Sequence, residues 1–123
     1  MKTRAQEDMK KAAERVAEVK GKEWADRYGA LCHSFPIMVR TCGLCQAVAF
    51  SEAKAKDDNH RAEAHRRILS DVKAITGKTP EQIAALPVVD YMLQTRRLLS
   101  AWIYYKRFAE SILNAKPGDQ NDV

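Results

Sequence analysis

The stretch Thr41-Cys42-Gly43-Leu44-Cys45, TCGLC, places two cysteines at a spacing that can do chemistry. A Cys-x-x-Cys pair works as a thiol redox site when a helix N-terminus or a cation lowers the pKa of one thiol. It supplies half of a tetrahedral zinc site when a second pair completes the ligands. Redox chemistry would need the residues before Cys42, Pro36 to Thr41, to form a strand running into a helix, within a sheet whose other strands this chain does not offer. For zinc, Cys32, His33, Cys42 and Cys45 provide one nitrogen and three sulfurs. Cys32 and His33 are adjacent, however, and adjacent helical residues point about 100° apart, so convergence on one ion is awkward. The third reading is structural. On a helix that also carries Ile37, Met38, Leu44, Val48, Ala49 and Phe50, Cys42 and Cys45 act as small buried apolar residues with reduced thiols. His33, His60 and His65 are the only histidines. No Ser/His/Asp set, phosphate-binding glycine loop or paired carboxylates emerge, so the expectation is no catalytic site, no metal and no cofactor.

The elements that would position these residues are helices. The chain has 123 residues, 46% hydrophobic and 30% charged, which suits one mainly helical domain able to bury a core without metals or disulfides. No apolar run approaches the roughly 18 residues a membrane span needs. The charged start, MKTRAQEDMKKAAERV, lacks the apolar region of a secretory signal, so the expected location is cytoplasmic, with no membrane contact. The net charge is +5, from 21 Lys+Arg against 16 Asp+Glu, which permits contact with nucleic acid without requiring it.

Ala5, Met9, Ala12, Val16 and Val19 alternate at four and three and predict a helix from about Thr3 to Lys20, ended by Gly21. Arg4, Asp8, Lys11, Arg15 and Glu18 fall on its charged face. A second helix is predicted over Lys22 to His33, interrupted at Phe35-Pro36, and a third from Pro36 to about Ala55. A polar turn follows, then a fourth helix over His60 to Ile75 that buries Ala64, Ile68, Leu69, Val72 and Ile75 and ends at Gly77. Thr79-Pro80-Glu81-Gln82 starts a short helix with a capping box. The last helix, Val88 to about Ala115, turns Tyr91, Thr95, Leu98, Trp102, Tyr105, Ala109 and Ile112 to one side. The predicted fold is therefore all-α: a single compact bundle of five or six helices over residues 1–115 with a long C-terminal helix, then a flexible tail over 116–123.

FPIMVRTCGLCQAVAFSEAK, Phe35 to Lys54, resembles the signature of one helical family, the small subunit of Cmr-type (type III-B) CRISPR effector complexes, the fifth Cmr protein. The pattern is Pro36, the apolar pair Ile37-Met38, Gly43-Leu44, a small residue at Cys45, Gln46, and Ala49-Phe50. The opening Arg4 and Gln6, and the closing Lys106 to Glu110, KRFAE, are similar in order to the same family. The resemblance implies a subunit with no active site of its own. Several copies would stack into a filament beside other Cmr subunits and line the path of guide RNA and target RNA with basic residues. In the family pattern Cys45 stands at a small-residue position and Cys42 has no chemical role.

Nucleic-acid contact needs Lys and Arg placed to meet phosphates. The cations cluster in four places: Arg4, Lys11 and Arg15; Arg40 and Lys54; Arg61, Arg66 and Arg67; and Arg96, Arg97, Lys106 and Arg107. Arg96 and Arg107 fall within about 20° on an ideal helix. The expected RNA-binding set is Arg4, Lys11, Arg15, Arg40, Lys54, Lys106 and Arg107, which lie in or beside the segments carrying the resemblance. Arg4 also has Asp8, and Lys11 has Glu7 and Glu14, within one helical turn. Trp102 and Tyr105 could stack on bases, but their place in the apolar stripe favours core packing. Two other readings stand beside this one. One is a helical protein-protein adaptor without RNA. The other is a thiol-redox or zinc protein built on Cys42 and Cys45.

Overall fold

Thr3 opens the first helix with a reciprocal cap: its hydroxyl accepts from the Gln6 N–H, and the Gln6 side chain accepts from the Thr3 N–H. The structure, a computed structural model, describes residues 1–116; the expected tail therefore lies, apart from Lys116, outside the described residues. Six helices and no strand make up the described residues: α1 (Arg4–Val19), α2 (Ala25–Cys42), α3 (Leu44–Ala55), α4 (His60–Thr76), α5 (Pro80–Ala84) and α6 (Val88–Leu113).

The inward row of α1 is Asp8, Ala12, Val16 and Val19, while Ala5 and Met9 are exposed. The expected stripe is thus off by one residue at its start. The reason is Arg97 of α6, whose two terminal nitrogens each donate to an Asp8 carboxylate oxygen at 2.7 Å. A bidentate partner lets an acid turn inward where an apolar residue was predicted.

The predicted break at Pro36 is the main correction. Pro36 lies inside α2, and the chain breaks instead at Gly43. A proline inside a helix removes the N–H that would bond the carbonyl four residues back, here that of Cys32. The Trp102 indole N–H donates to that same carbonyl at 2.9 Å. Helix α6 thus replaces the hydrogen bond that Pro36 cannot make. At Gly43 the backbone takes φ of +91°, which a residue with a side chain rarely adopts. The Tyr91 hydroxyl closes this corner by accepting the Cys45 N–H at 3.0 Å.

Helix α2 begins at Ala25 rather than at the expected Lys22, while the ends of α4, α5 and α6 follow the sequence signals. Asn59 caps α4 by accepting the Ala62 N–H at 2.8 Å, and Gly77 ends it in the left-handed region. Thr79 and Gln82 form the capping box of α5, with Pro80 at its first position. Asn114 ends α6.

One core joins these helices. Ala12, Val16 and Val19 of α1, Tyr28, Leu31, Cys32, Phe35 and Val39 of α2, Leu44 and Val48 of α3, Ile68 and Val72 of α4, and Leu98, Trp102, Tyr105 and Ala109 of α6 are all buried. Trp102 sits at its centre, stacked on Tyr105 at 5.0 Å between ring centres and packed against Phe35 at 5.0 Å. Helix α6 packs against α1, α2 and α4, so it organises the bundle and faces solvent on its remaining side.

Candidate nucleic-acid interface

The TCGLC stretch does not form a packed helical pair. Cys42 ends α2 and is exposed, Cys45 lies in the first turn of α3 and is half-buried, and the Gly43 break separates them. Cys32 is buried, and burial pushes its thiol well above the ordinary range, which leaves it protonated and inert. Among the described residues no group of three or more His, Cys, Asp or Glu could hold a metal ion. The histidines are dispersed. His65 is buried, shares a hydrogen bond with Ser51 at 3.2 Å, and is pushed down to about 4 by burial and then by the charges of Arg61 and Lys54. His60 pairs with Glu23 at 2.9 Å on the surface, and His33 lies 3.6 Å from Glu110.

The structure sorts the cations by what already holds them. Arg15 donates to Asp71 and to Ser70, each at 2.7 Å, and so ties α1 to α4. Arg67 reaches Glu18 at 2.6 Å and the Arg15 carbonyl at 2.9 Å. Arg66 pairs with Glu63, Arg61 stands 4.0 Å from Asp57, and Arg97 is clamped by Asp8. Arg15, in the expected RNA-binding set, therefore has its guanidinium committed to a carboxylate. Lys54 is half-buried, with its ammonium 5.3 Å from the centre of the Phe50 ring. Arg4, Lys11, Arg40, Lys106 and Arg107 are exposed and carry no ion pair among the described residues. The intrahelical pairings expected for Arg4 with Asp8 and for Lys11 with Glu7 and Glu14 are absent from the ion pairs of the described residues.

Three of these exposed cations come together. Arg40 of α2 and Lys106 and Arg107 of α6 line one groove of about 280 Å³, with Pro36, Leu99, Trp102, Ile103 and Glu110. Because α2 continues through Pro36, it carries Arg40 alongside α6, which a break at Pro36 would not have done. Arg4 lies elsewhere, in a cleft of about 560 Å³ with Arg96, Arg97, Gln94, Leu93, Ile75, Thr76 and Ser100. Neither space is lined by Lys11, Arg15 or Lys54. Arg96 and Arg107, which share a face of α6, thus open onto different recesses.

The sequence pattern passes over one inward acid, Asp71, and places another, Asp8, on the charged face with Arg4 as its partner. Asp71 is fully buried, accepts from Arg15 and from the Tyr28 hydroxyl, and has Arg67 at 3.7 Å. Burial raises its pKa, while the hydrogen bonds from Tyr28 and Arg15 pull the other way. Asp8 is the anchor for Arg97. The available signal was position: Asp8 lies four residues before Ala12, and Asp71 three after Ile68, both in register with a buried row.

The model of one protein family, CRISPR-associated protein (Cas_Cmr5), matches residues 4–112. The chain is 30% identical over 118 residues to the CRISPR system Cmr subunit Cmr5 of Thermus thermophilus, covering 92% of this chain and 98% of that one. Its fold is similar to the X-ray crystal structure of a CRISPR-associated Cmr5 family protein from Thermus thermophilus, with a TM-score of 0.78 at 30% identity over 92% of this chain and 99% of that one.

Proposed function

The chain belongs to the Cas_Cmr5 family as a subunit of the type III-B CRISPR complex, and from that premise we propose that it holds RNA rather than cutting it. Its role is that of a non-catalytic small subunit in antiviral defence, acting in the cytoplasm. It stacks with copies of itself and other Cmr subunits along the guide RNA and target RNA. The observation that carries the reading is the convergence of Arg40, Lys106 and Arg107 on one groove, with no ion pair to neutralise them among the described residues. Three cations in one recess, each free to meet a phosphate, make a backbone contact that depends on charge and not on base sequence. Arg4 and Lys11 extend the basic surface on α1; Lys54 and Arg15 contribute only if they release their present contacts. Guide pairing reads the sequence, so the protein needs to grip backbone alone.

The stacking part of the reading is supported by a second feature. Val88, Val89, Met92 and Leu93 form an exposed apolar row on the first turns of α6, with relative exposures of 74%, 67%, 51% and 55%. Such a row suits contact with a neighbouring subunit. The test uses the assembled complex. Lys106→Glu with Arg107→Glu should weaken RNA binding and flatten its salt dependence, with the log–log slope falling by about 0.7–0.9 for each phosphate no longer neutralised. Unchanged affinity and slope would remove the RNA role and leave the adaptor reading.

A further inference from the structure

We propose that the groove between α2 and α6 receives one unpaired RNA base, with the adjoining phosphates held by Arg40, Lys106 and Arg107. The proposal rests on the RNA-binding reading above and adds a ligand part to it. A pure backbone grip needs cations and nothing else. This groove also has an apolar floor of the exposed Ile103 and the half-buried Leu99, backed by the buried Pro36 and Trp102. Ile103 is 51% exposed, one helical turn before Lys106 and Arg107 and across from Arg40. Three cations around an exposed isoleucine leave that side chain with no ionic function, and only an apolar or aromatic group can cover it favourably. A nucleobase has such a face, and it arrives with phosphates attached.

The floor is also fixed before anything binds. Behind it, the buried Trp102 has its N–H tied to the Cys32 carbonyl at 2.9 Å and its ring stacked on Tyr105, and the buried Pro36 is held inside α2. A rigid platform loses little conformational freedom on binding. The groove, at about 280 Å³, is just smaller than drug-sized ligand sites, which start at about 300 Å³, so it suits a single base. Glu110 is the one carboxylate in its lining, and an ionised carboxylate only accepts hydrogen bonds. It therefore favours a base edge that carries N–H donors.

The test takes the assembled complex with a series of guide and target RNAs, each carrying one abasic residue. Abasic substitution at one register should weaken binding about tenfold, as loss of a stacked base does. Ile103→Ser, on an exposed position that leaves the fold intact, should weaken binding of intact RNA similarly, and the two losses should not add. If no abasic residue weakens binding more in the unsubstituted complex than in the Ile103→Ser complex, while Lys106→Glu with Arg107→Glu still weakens binding, the base pocket is overturned and the phosphate grip stands. If the charge reversals also have no effect, the RNA reading has failed, and this proposal falls with it.

Discussion

Replacing Trp102 by Phe tests how α2 passes through a proline. In the folded protein the Cys32 carbonyl accepts the Trp102 indole N–H at 2.9 Å, in place of the N–H that Pro36 lacks. Both Cys32 and Trp102 are buried, so water does not substitute. Trp102→Phe leaves that carbonyl unpaired, at about 1–3 kcal/mol, and loss of the second ring adds a packing cost of about 1 kcal/mol or more. The total expected loss is about 2–4 kcal/mol. Pro36→Ala restores an N–H in position to bond the same carbonyl. Alone it should change stability little, since relief of the proline clash is offset by a freer unfolded chain. Once Pro36→Ala is in place, Trp102→Phe should cost about 1–2 kcal/mol less than it does with Pro36 present. Urea unfolding of the four proteins, followed by circular dichroism at fixed pH, measures this coupling directly. Additivity within about 0.5 kcal/mol would refute the claim that Trp102 stands in for the missing proline donor.

Asp71→Ala should cost about 3–5 kcal/mol in the same unfolding assay, because it strips the partner from the Arg15 guanidinium and the buried Tyr28 hydroxyl. His65 gives a pH dependence of defined sign. Its folded pKa of about 4 lies below the ordinary 6.5, so the unfolded chain takes up a proton that the folded one refuses. Stability is full above about pH 6.5 and falls toward pH 4, by up to about 3 kcal/mol, and His65→Gln should flatten that slope. Cys42→Ser with Cys45→Ser should cost no more than about 1–2 kcal/mol and leave assembly intact, since Cys42 is exposed and Cys45 half-buried. Loss of bound zinc or of assembly in that double variant would restore the thiol reading.

Where a signal is local, the sequence carried it. The capping boxes at Thr3 and Thr79, the glycine end at Gly77 and the apolar stripe of α6 from Leu98 to Ala109 all depend on residues within a turn or two. Where the deciding partner is distant, it did not. Pro36 reads as a helix boundary because its remedy, Trp102, meets a carbonyl seventy residues away in the chain. Asp8 reads as surface because Arg97 is 89 residues away. The same division runs through the basic residues. Arg15 and Arg107 are indistinguishable as letters on helices. Only the packing of α1 on α4 commits Arg15 to Asp71, and only the passage of α2 beyond Pro36 brings Arg40 to Lys106 and Arg107.

The most direct measurement is ultraviolet crosslinking of the protein to RNA within the particle purified from its own host, followed by mapping of the modified peptides. Short RNAs and other Cmr subunits should accompany the purified particle, with crosslinks on the α2 and α6 peptides that carry Arg40, Ile103, Lys106 and Arg107. A particle in which this chain carries no crosslink, or carries crosslinks only on α4, would contradict an RNA grip between α2 and α6.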